Sequence, residues 1–238
     1  MDFQEGEIIY INKPYGVTSF GALAFVRTRL SRALHVKRLK TGHAGTLDPL
    51  ATGVLILCTG KATKRIESLQ LATKEYTATL QLGATTPSFD REHEVDQTYP
   101  TSHITRELIE SVLARFIGDI DQVPPVFSAV MVKGDRAYEL ARKGEAVELK
   151  AKRIRIDEIE LTAFDPDTMQ MSIRVVCGKG TYIRSLARDI GLALGSGAYL
   201  TALCRTRMGD VRIEQCLTFD EFPKWLEDIL SGKDIRTG

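Results

Sequence analysis

Two stretches of strict two-residue alternation constrain the fold of this chain more than any other feature. Tyr76, Ala78, Leu80 and Leu82 alternate with Thr77, Thr79 and Gln81, and Met169, Met171, Ile173, Val175 and Cys177 alternate with largely polar neighbours. A period of two gives an extended segment one apolar and one polar face, so each stretch reads as a strand covered by a core on one side. Further strands are expected over 7–11, 54–58 and about 153–161. Helical spacing appears between them. Thr18 or Ser19 caps a helix that carries Phe20, Leu23, Ala24 and Leu30 on one face, and Thr105–Ile117 carries Ile109, Val112, Leu113 and Phe116 and stops at Gly118. A third helix runs from Thr181 to a stop at Gly195 with Ile183, Leu186, Ala187, Ile190 and Leu194 on one face, and the last opens on a Thr218-x-x-Glu221 capping box. Strands and helices interleave irregularly and no repeat of solenoid period is present. The expected fold class is therefore α+β on a mixed, largely antiparallel sheet flanked by helices.

Composition sets the outer bounds. With 238 residues, 43% hydrophobic and 26% charged, the chain has the make-up of a globular domain, which excludes a disordered tail, a collagen-like fibre or a coiled-coil rod. Cys58, Cys177, Cys204 and Cys216 are scattered without a C-x-x-C pair, so neither a disulfide framework nor a zinc ribbon is expected. Aliphatic runs such as Val54–Leu57 fall far short of the roughly 20 residues that span a bilayer, and the opening MDFQEGEIIYINKP lacks the apolar core of a signal peptide. A cytoplasmic protein without membrane association is expected. A net charge of +1 argues against indiscriminate binding of polyanions but leaves room for a local basic face. Residues 27–40, with Arg136, Arg142, Lys143, Lys150, Lys152 and Arg153, read equally as two walls of such a face, able to take RNA, or as ordinary solvated helix and loop charge.

The chemistry concentrates in Gly42-His43-Ala44-Gly45-Thr46-Leu47-Asp48-Pro49-Leu50-Ala51-Thr52-Gly53, read as a loop leading into a strand. It sets a single carboxylate among glycines that permit close backbone approach, and the proline after Asp48 keeps that residue out of the helical region. Asp-Pro is also a common turn pair, so on the residues alone Asp48 reads equally as a turn or as a reactive group. Histidines at 35, 43, 93 and 103 offer no H-x-x-x-H pair for a metal, Gly178-Lys179-Gly180-Thr181 lacks the spacing of a phosphate loop, and no G-x-S-x-G is present.

The loop at 42–53 closely resembles the signature loop of the TruB family of tRNA pseudouridine synthases. Other segments resemble that family in the same order: Lys13-Pro14 with Gly16, Lys74-Glu75-Tyr76 with Leu82-Gly83, Pro124–Ala129 with Gly134, Ala137 and Tyr138, Gly178–Arg184, and Gly197-Ala198 with Leu203 and Arg205. The resemblance spans about residues 7 to 212. It implies a pseudouridine-synthase-like sheet with a thumb-like RNA-binding insertion at about 124–152. It also implies a single catalytic domain over 1–238, without the separate C-terminal PUA-type RNA-binding domain of many bacterial members. By the same resemblance Asp48 is the catalytic aspartate, Arg184 its arginine partner and Tyr76 the ring that stacks on the target uracil. Tyr182 and Leu203 line the substrate pocket, His43 reaches into the RNA loop, and Lys13 and Lys64 contact substrate. The implied substrate is uridine 55 in the T-loop of tRNA, isomerised to pseudouridine by a monomer that needs no protein partner.

That reaction cleaves the bond from C1′ to N1, turns the base and joins C1′ to C5. It exchanges neither electrons nor phosphate, so no cofactor or metal is expected. The base must leave its stack; an aromatic face such as Tyr76 is worth roughly 1–3 kcal/mol per stacked base, and an imidazole such as His43 can fill the space left behind. A guanidinium fits a carboxylate in a partly dry pocket. Asp48 could attack C1′, attack C6 or remove the C2′ proton, and the sequence does not choose among them. Two other readings are a non-catalytic tRNA-binding or folding module and a glycoside hydrolase. The paired carboxylates usual in hydrolases are missing from the signature loop.

Overall fold

One strand buried on both faces organises the first of two compact units, Met1–Lys74 with Cys204–Gly238; the second is Glu75–Leu203. The computed structural model describes residues 1–128, 131–132, 135–136 and 149–232. In chain order its strands are β1 (Ile8–Lys13), β2 (Thr41–Ala44), β3 (Ala51–Thr59), β4 (Lys74–Leu82), β5 (Ala84–Thr85), β6 (Gln97–Thr98), β7 (Gly118–Gln122), β8 (Met131–Val132), β9 (Asp135–Arg136), β10 (Lys152–Asp165), β11 (Gln170–Cys177), β12 (Ala198–Met208) and β13 (Val211–Arg212). The α-helices are α1 (Ser19–Ala33), α2 (Ile66–Gln70), α3 (Arg106–Ala114), α4 (Ile183–Ala193) and α5 (Glu221–Leu230).

In the first unit β3 lies between β1 and β12, with β2 also paired to β3 and β13 to β12. The uninterrupted apolar run Val54–Cys58 follows from this position, because a strand covered on both faces has no solvent side to keep polar. Leu55 and Leu57 join a core with Ile9, Ile11, α1 residues Ala22, Leu23, Val26 and Leu30, and Phe222 and Leu226 of α5. Val54 and Ile56 face the opposite way, toward Ala44, Met208 and Cys216. The two ends of the chain meet in this core: Leu217 bridges Ile11 in parallel and Phe25 stacks on Phe219 with ring centroids 4.0 Å apart. The expected capping box forms, with Glu221 N–H donating to Thr218 Oγ1 and Thr218 N–H donating to Glu221 Oε2.

In the second unit the strand order is β12-β4-β11-β10-β7, with β10 antiparallel to both β11 and β7. Alternation holds on β4, where Tyr76, Ala78, Leu80 and Leu82 are buried, and on β11, where Met171, Ile173 and Val175 are buried. The α+β architecture on a mixed, largely antiparallel sheet stands as expected. Helices α3 and α4 bury the apolar stripes foreseen for them, except that α3 ends at Ala114 and leaves Phe116 half-buried beyond it.

Three local expectations change. Phe20 is 63% exposed and lies under the Arg27 guanidinium instead of facing the core; Ala22 and Val26 fill the inward positions. Met169 adopts φ 52° in the turn before β11, so that strand starts one residue later than expected. Residues 41–44 and 51–53, read as loop, are strand: β2 pairs with β3 from Thr41 opposite Thr59 to Ala44 opposite Ile56. The true loop is thereby reduced to Gly45–Leu50. Of the thumb-like insertion, Ala129, Gly134, Ala137, Tyr138, Arg142 and Lys143 lie outside the described residues; β8 and β9 form a short antiparallel pair within it.

Candidate active site

Asp48 is locked through its neighbours on both sides. Leu47 is buried, and the Ser19 hydroxyl at the start of α1 both accepts from its N–H (2.8 Å) and donates to its carbonyl (2.9 Å). The Pro49 carbonyl accepts from Gly16 N–H (2.9 Å) and from Lys13 Nζ (3.3 Å), while the carbonyl of Asp48 accepts from Ala51 N–H (3.1 Å). The side chain between these anchors is half-buried. A loop this short, held at both shoulders, presents its carboxylate from a fixed backbone, which is what a reacting group requires.

Two buried cations lie under the loop. Lys13 has no exposed surface; its ammonium donates to the carbonyls of Val17 (2.6 Å), Pro14 (3.0 Å) and Pro49. The ammonium is turned inward, and these bonds tie the Lys13–Gly16 turn to the Asp48 loop. Burial pulls its pKa down to about 8, against an upward pull from Asp48 and a further downward push from Arg205. Arg205 is 1% exposed, and its guanidinium donates to the carbonyls of Val54 (2.8 Å) and Gly45 (3.0 Å). Gly53 is required beside it: with φ 103°, an added Cβ would lie 2.2 Å from the Arg205 carbonyl oxygen, so only glycine lets these two backbones meet. His43 on β2 is kept toward its neutral form by burial and by Arg205, and its Nδ1 is buried without a hydrogen-bond partner among the described residues. Lys64 is exposed on a 3-10 turn, Gly60–Arg65.

The Lys13 shift has a testable sign. The folded pKa of about 8 lies below the ordinary 10.5. Between these values the unfolded chain holds the proton and the folded chain does not. Unfolding at pH 9 then takes up a proton, and the contribution of Lys13 to stability rises with pH by up to about 1.4 kcal/mol per unit. Comparing the pH slope of unfolding free energy in the wild type and Lys13→Met from pH 8 to 10.5 checks this; parallel curves would refute it.

The second unit holds Tyr76, Tyr182, Arg184 and Leu203. Tyr76 is 8% exposed on the buried face of β4, and Leu203 sits half-buried on β12. Tyr182 precedes α4 and is clamped through its backbone: its N–H donates to Gln122 Oε1 (2.8 Å) and its carbonyl accepts from Gln122 Nε2 (3.1 Å). Arg184 is 5% exposed, with its Nε 3.7 Å from Asp90 Oδ2 and its terminal nitrogens donating to the carbonyls of Phe127 (2.9 Å) and Ser88 (3.3 Å). Asp90 is in turn held by Ser88 Oγ (2.6 Å) and Glu92 N–H (2.9 Å). Neither Asp90 nor Gln122 is expected from the sequence. The Ser88-x-Asp90 spacing, suited to a local hydroxyl–carboxylate turn, is the available signal for the first.

Residues 31–183 match the family model described as TruB family pseudouridylate synthase (N terminal domain), and residues 184–232 match tRNA pseudouridylate synthase B C-terminal domain. This chain belongs to the TruB family. It is 65% identical over 227 residues to tRNA pseudouridine synthase B of Phocaeicola vulgatus, covering 95% of this chain and 96% of that one. Identity to the protein of the same description from Flavobacterium johnsoniae is 47%, covering 98% of that chain. Among solved structures, a crystal structure of the archaeal box H/ACA sRNP Nop10–Cbf5 complex is similar with a TM-score of 0.68 and 27% identity, covering 98% of this chain and 57% of that one. The match to the TruB family therefore runs through both compact units and includes the Asp48 loop. Among the described residues no helix is long and apolar enough to cross a membrane, and no group of three or more His, Cys, Asp or Glu could hold a metal ion.

Proposed function

We propose that this TruB-family chain isomerises uridine 55 in the T-loop of tRNA to pseudouridine, with Asp48 as the group that reacts with the nucleoside. The observation that carries this reading is the double anchoring of Asp48, through Ser19 on one side and Lys13 and Gly16 on the other, with its side chain left half-exposed. The uridine must be extruded from the T-loop, an unstacking that costs a few kcal/mol. Stacking on an aromatic ring offsets part of that cost, and Tyr76 is the ring for that role. His43, toward its neutral form and with an unsatisfied ring nitrogen, is suited to enter the space the base leaves. Arg184, oriented by Asp90 and two carbonyls, supplies fixed positive charge for a developing anion. Once C1′–N1 is cleaved, the base turns, C5 bonds to C1′, the C5 proton leaves to solvent and N1 takes up a proton, so the product is an isomer of the substrate.

Loss of that proton supplies the assay. tRNA tritiated at uracil C5 should release label on incubation with the protein, with the label lost from position 55. Binding of the tRNA without release would favour a folding module, and release from another position would overturn the assigned site.

A further inference from the structure

The positive charge of this near-neutral protein is gathered in one place. Residues Ile8–Leu47 hold seven lysines and arginines and no carboxylate, whereas the other 198 residues hold 25 cations and 31 carboxylates. Five of the seven, Arg27, Arg32, Lys37, Arg38 and Lys40, line a cleft of ≈ 780 Å³ together with Thr28 and Ser31. Local backbone bonds build this cleft. Helix α1 ends in a reversing turn in which Val36 N–H donates to the Ser31 carbonyl (3.0 Å) and His35 N–H to the Arg32 carbonyl (3.2 Å), with His35 at φ 53°. That pair of bonds around a left-handed residue is a Schellman motif. It folds segment 36–40 back beside the last turns of α1, and burial of Leu39 in the core fixes it there. Arg38 and Lys40 are exposed, and no ion pair with a carboxylate is formed by the five cations among the described residues. Holding five like charges in one concavity costs self-repulsion unless an anion shares it.

The position of the cleft points to which anion. Ser19, at one end of α1, pins the Asp48 loop, and the cleft lies at the other end. At 1.5 Å per helical residue, the cleft, whose lining begins at Arg27 and runs past the end of α1, stands about 12–22 Å from the anchor of the reactive loop. A stem-loop RNA that delivers a uridine to Asp48 continues as a helical arm whose phosphates pass within this distance. We infer that the cleft between the C-terminal half of α1 and residues 36–40 binds the phosphodiester backbone of the substrate RNA outside the loop that holds the target uridine. This rests on the isomerase reading for the position of the uridine, and it adds a second point of attachment that fixes how the arm approaches.

The test uses the full chain and unmodified tRNA. Arg38→Gln/Lys40→Gln removes two cations from the cleft. Arg115→Gln/Lys224→Gln removes two exposed cations from elsewhere. Each neutralised phosphate contact contributes about 0.9 to the slope of log affinity against log salt. The cleft variant should therefore show a slope shallower by about 2, so that wild-type affinity falls about 12-fold further than that of the variant between 50 and 200 mM salt. The control pair should keep the wild-type slope. A cleft variant with the wild-type slope, or a control pair that flattens it equally, overturns the proposal, and far-UV circular dichroism verifies that both variants are folded. Tritium release by the wild type reports on the isomerase reading separately. Release with an unchanged salt slope overturns the cleft alone, and a flattened slope without release overturns the isomerase alone.

Discussion

Asp48→Asn is expected to abolish tritium release while leaving tRNA binding within a fewfold of the wild type. The substitution keeps side-chain volume and a hydrogen-bonding tip but removes the charge and the nucleophilic or basic oxygen. The backbone anchors at Leu47 and Pro49 do not involve the Asp48 side chain, so the loop itself should hold its shape. Removal of a directly reacting group lowers rates by about four orders of magnitude or more in well-studied enzymes. A single-turnover measurement with saturating protein separates this from a binding defect. Release reduced by less than about tenfold would remove Asp48 from the reaction.

The second large effect is on stability. Arg205→Met should lower the melting temperature by about 10 °C, because it replaces a guanidinium that is 1% exposed and leaves the carbonyls of Val54 and Gly45 without these donors. Each buried carbonyl left without its donor costs about 1–3 kcal/mol, and each kcal/mol moves the midpoint by roughly 2–4 °C at this chain length. Methionine fills much of the volume, so cavity formation contributes little. Calorimetry of the two proteins at one pH checks the shift, and a change under about 2 °C would show that these bonds are not what holds β12 to the loop.

These two residues also mark where the sequence is and is not legible. Asp48 stands out because a carboxylate between glycines and before proline is an unusual local composition. The strands β4 and β11 and the helices α3 and α4 are legible because burial on one face imposes a period that the residues must follow. Strand β12 is different. Its buried positions run 198, 200, 205 and 208, so the parity of burial breaks midway, and one of the buried residues is an arginine. No rule of alternation finds such a strand. Strand β2 and the start of β3 read as loop because Gly42, Gly45 and Gly53 look like punctuation, whereas Gly53 is there to let another strand's backbone close in. Lys13 and Asp90 are obscured for a related reason: a charged residue in a short polar stretch looks solvated until the fold buries it.

The core that unites Phe3, Ile9, Ile11 and Leu30 with Phe222 and Leu226 has a consequence for biosynthesis. At 5–20 residues per second a ribosome needs about 10–40 s to make the roughly 200 residues that separate the two groups. Throughout that interval the nascent amino-terminal segment carries aromatic and aliphatic side chains whose partners have not yet been translated. The Asp48 loop, hung from α1 at Ser19, therefore reaches its final rigidity only once the segment around Phe222 has been made, and truncation before Phe222 should yield an aggregation-prone product in place of a weaker enzyme.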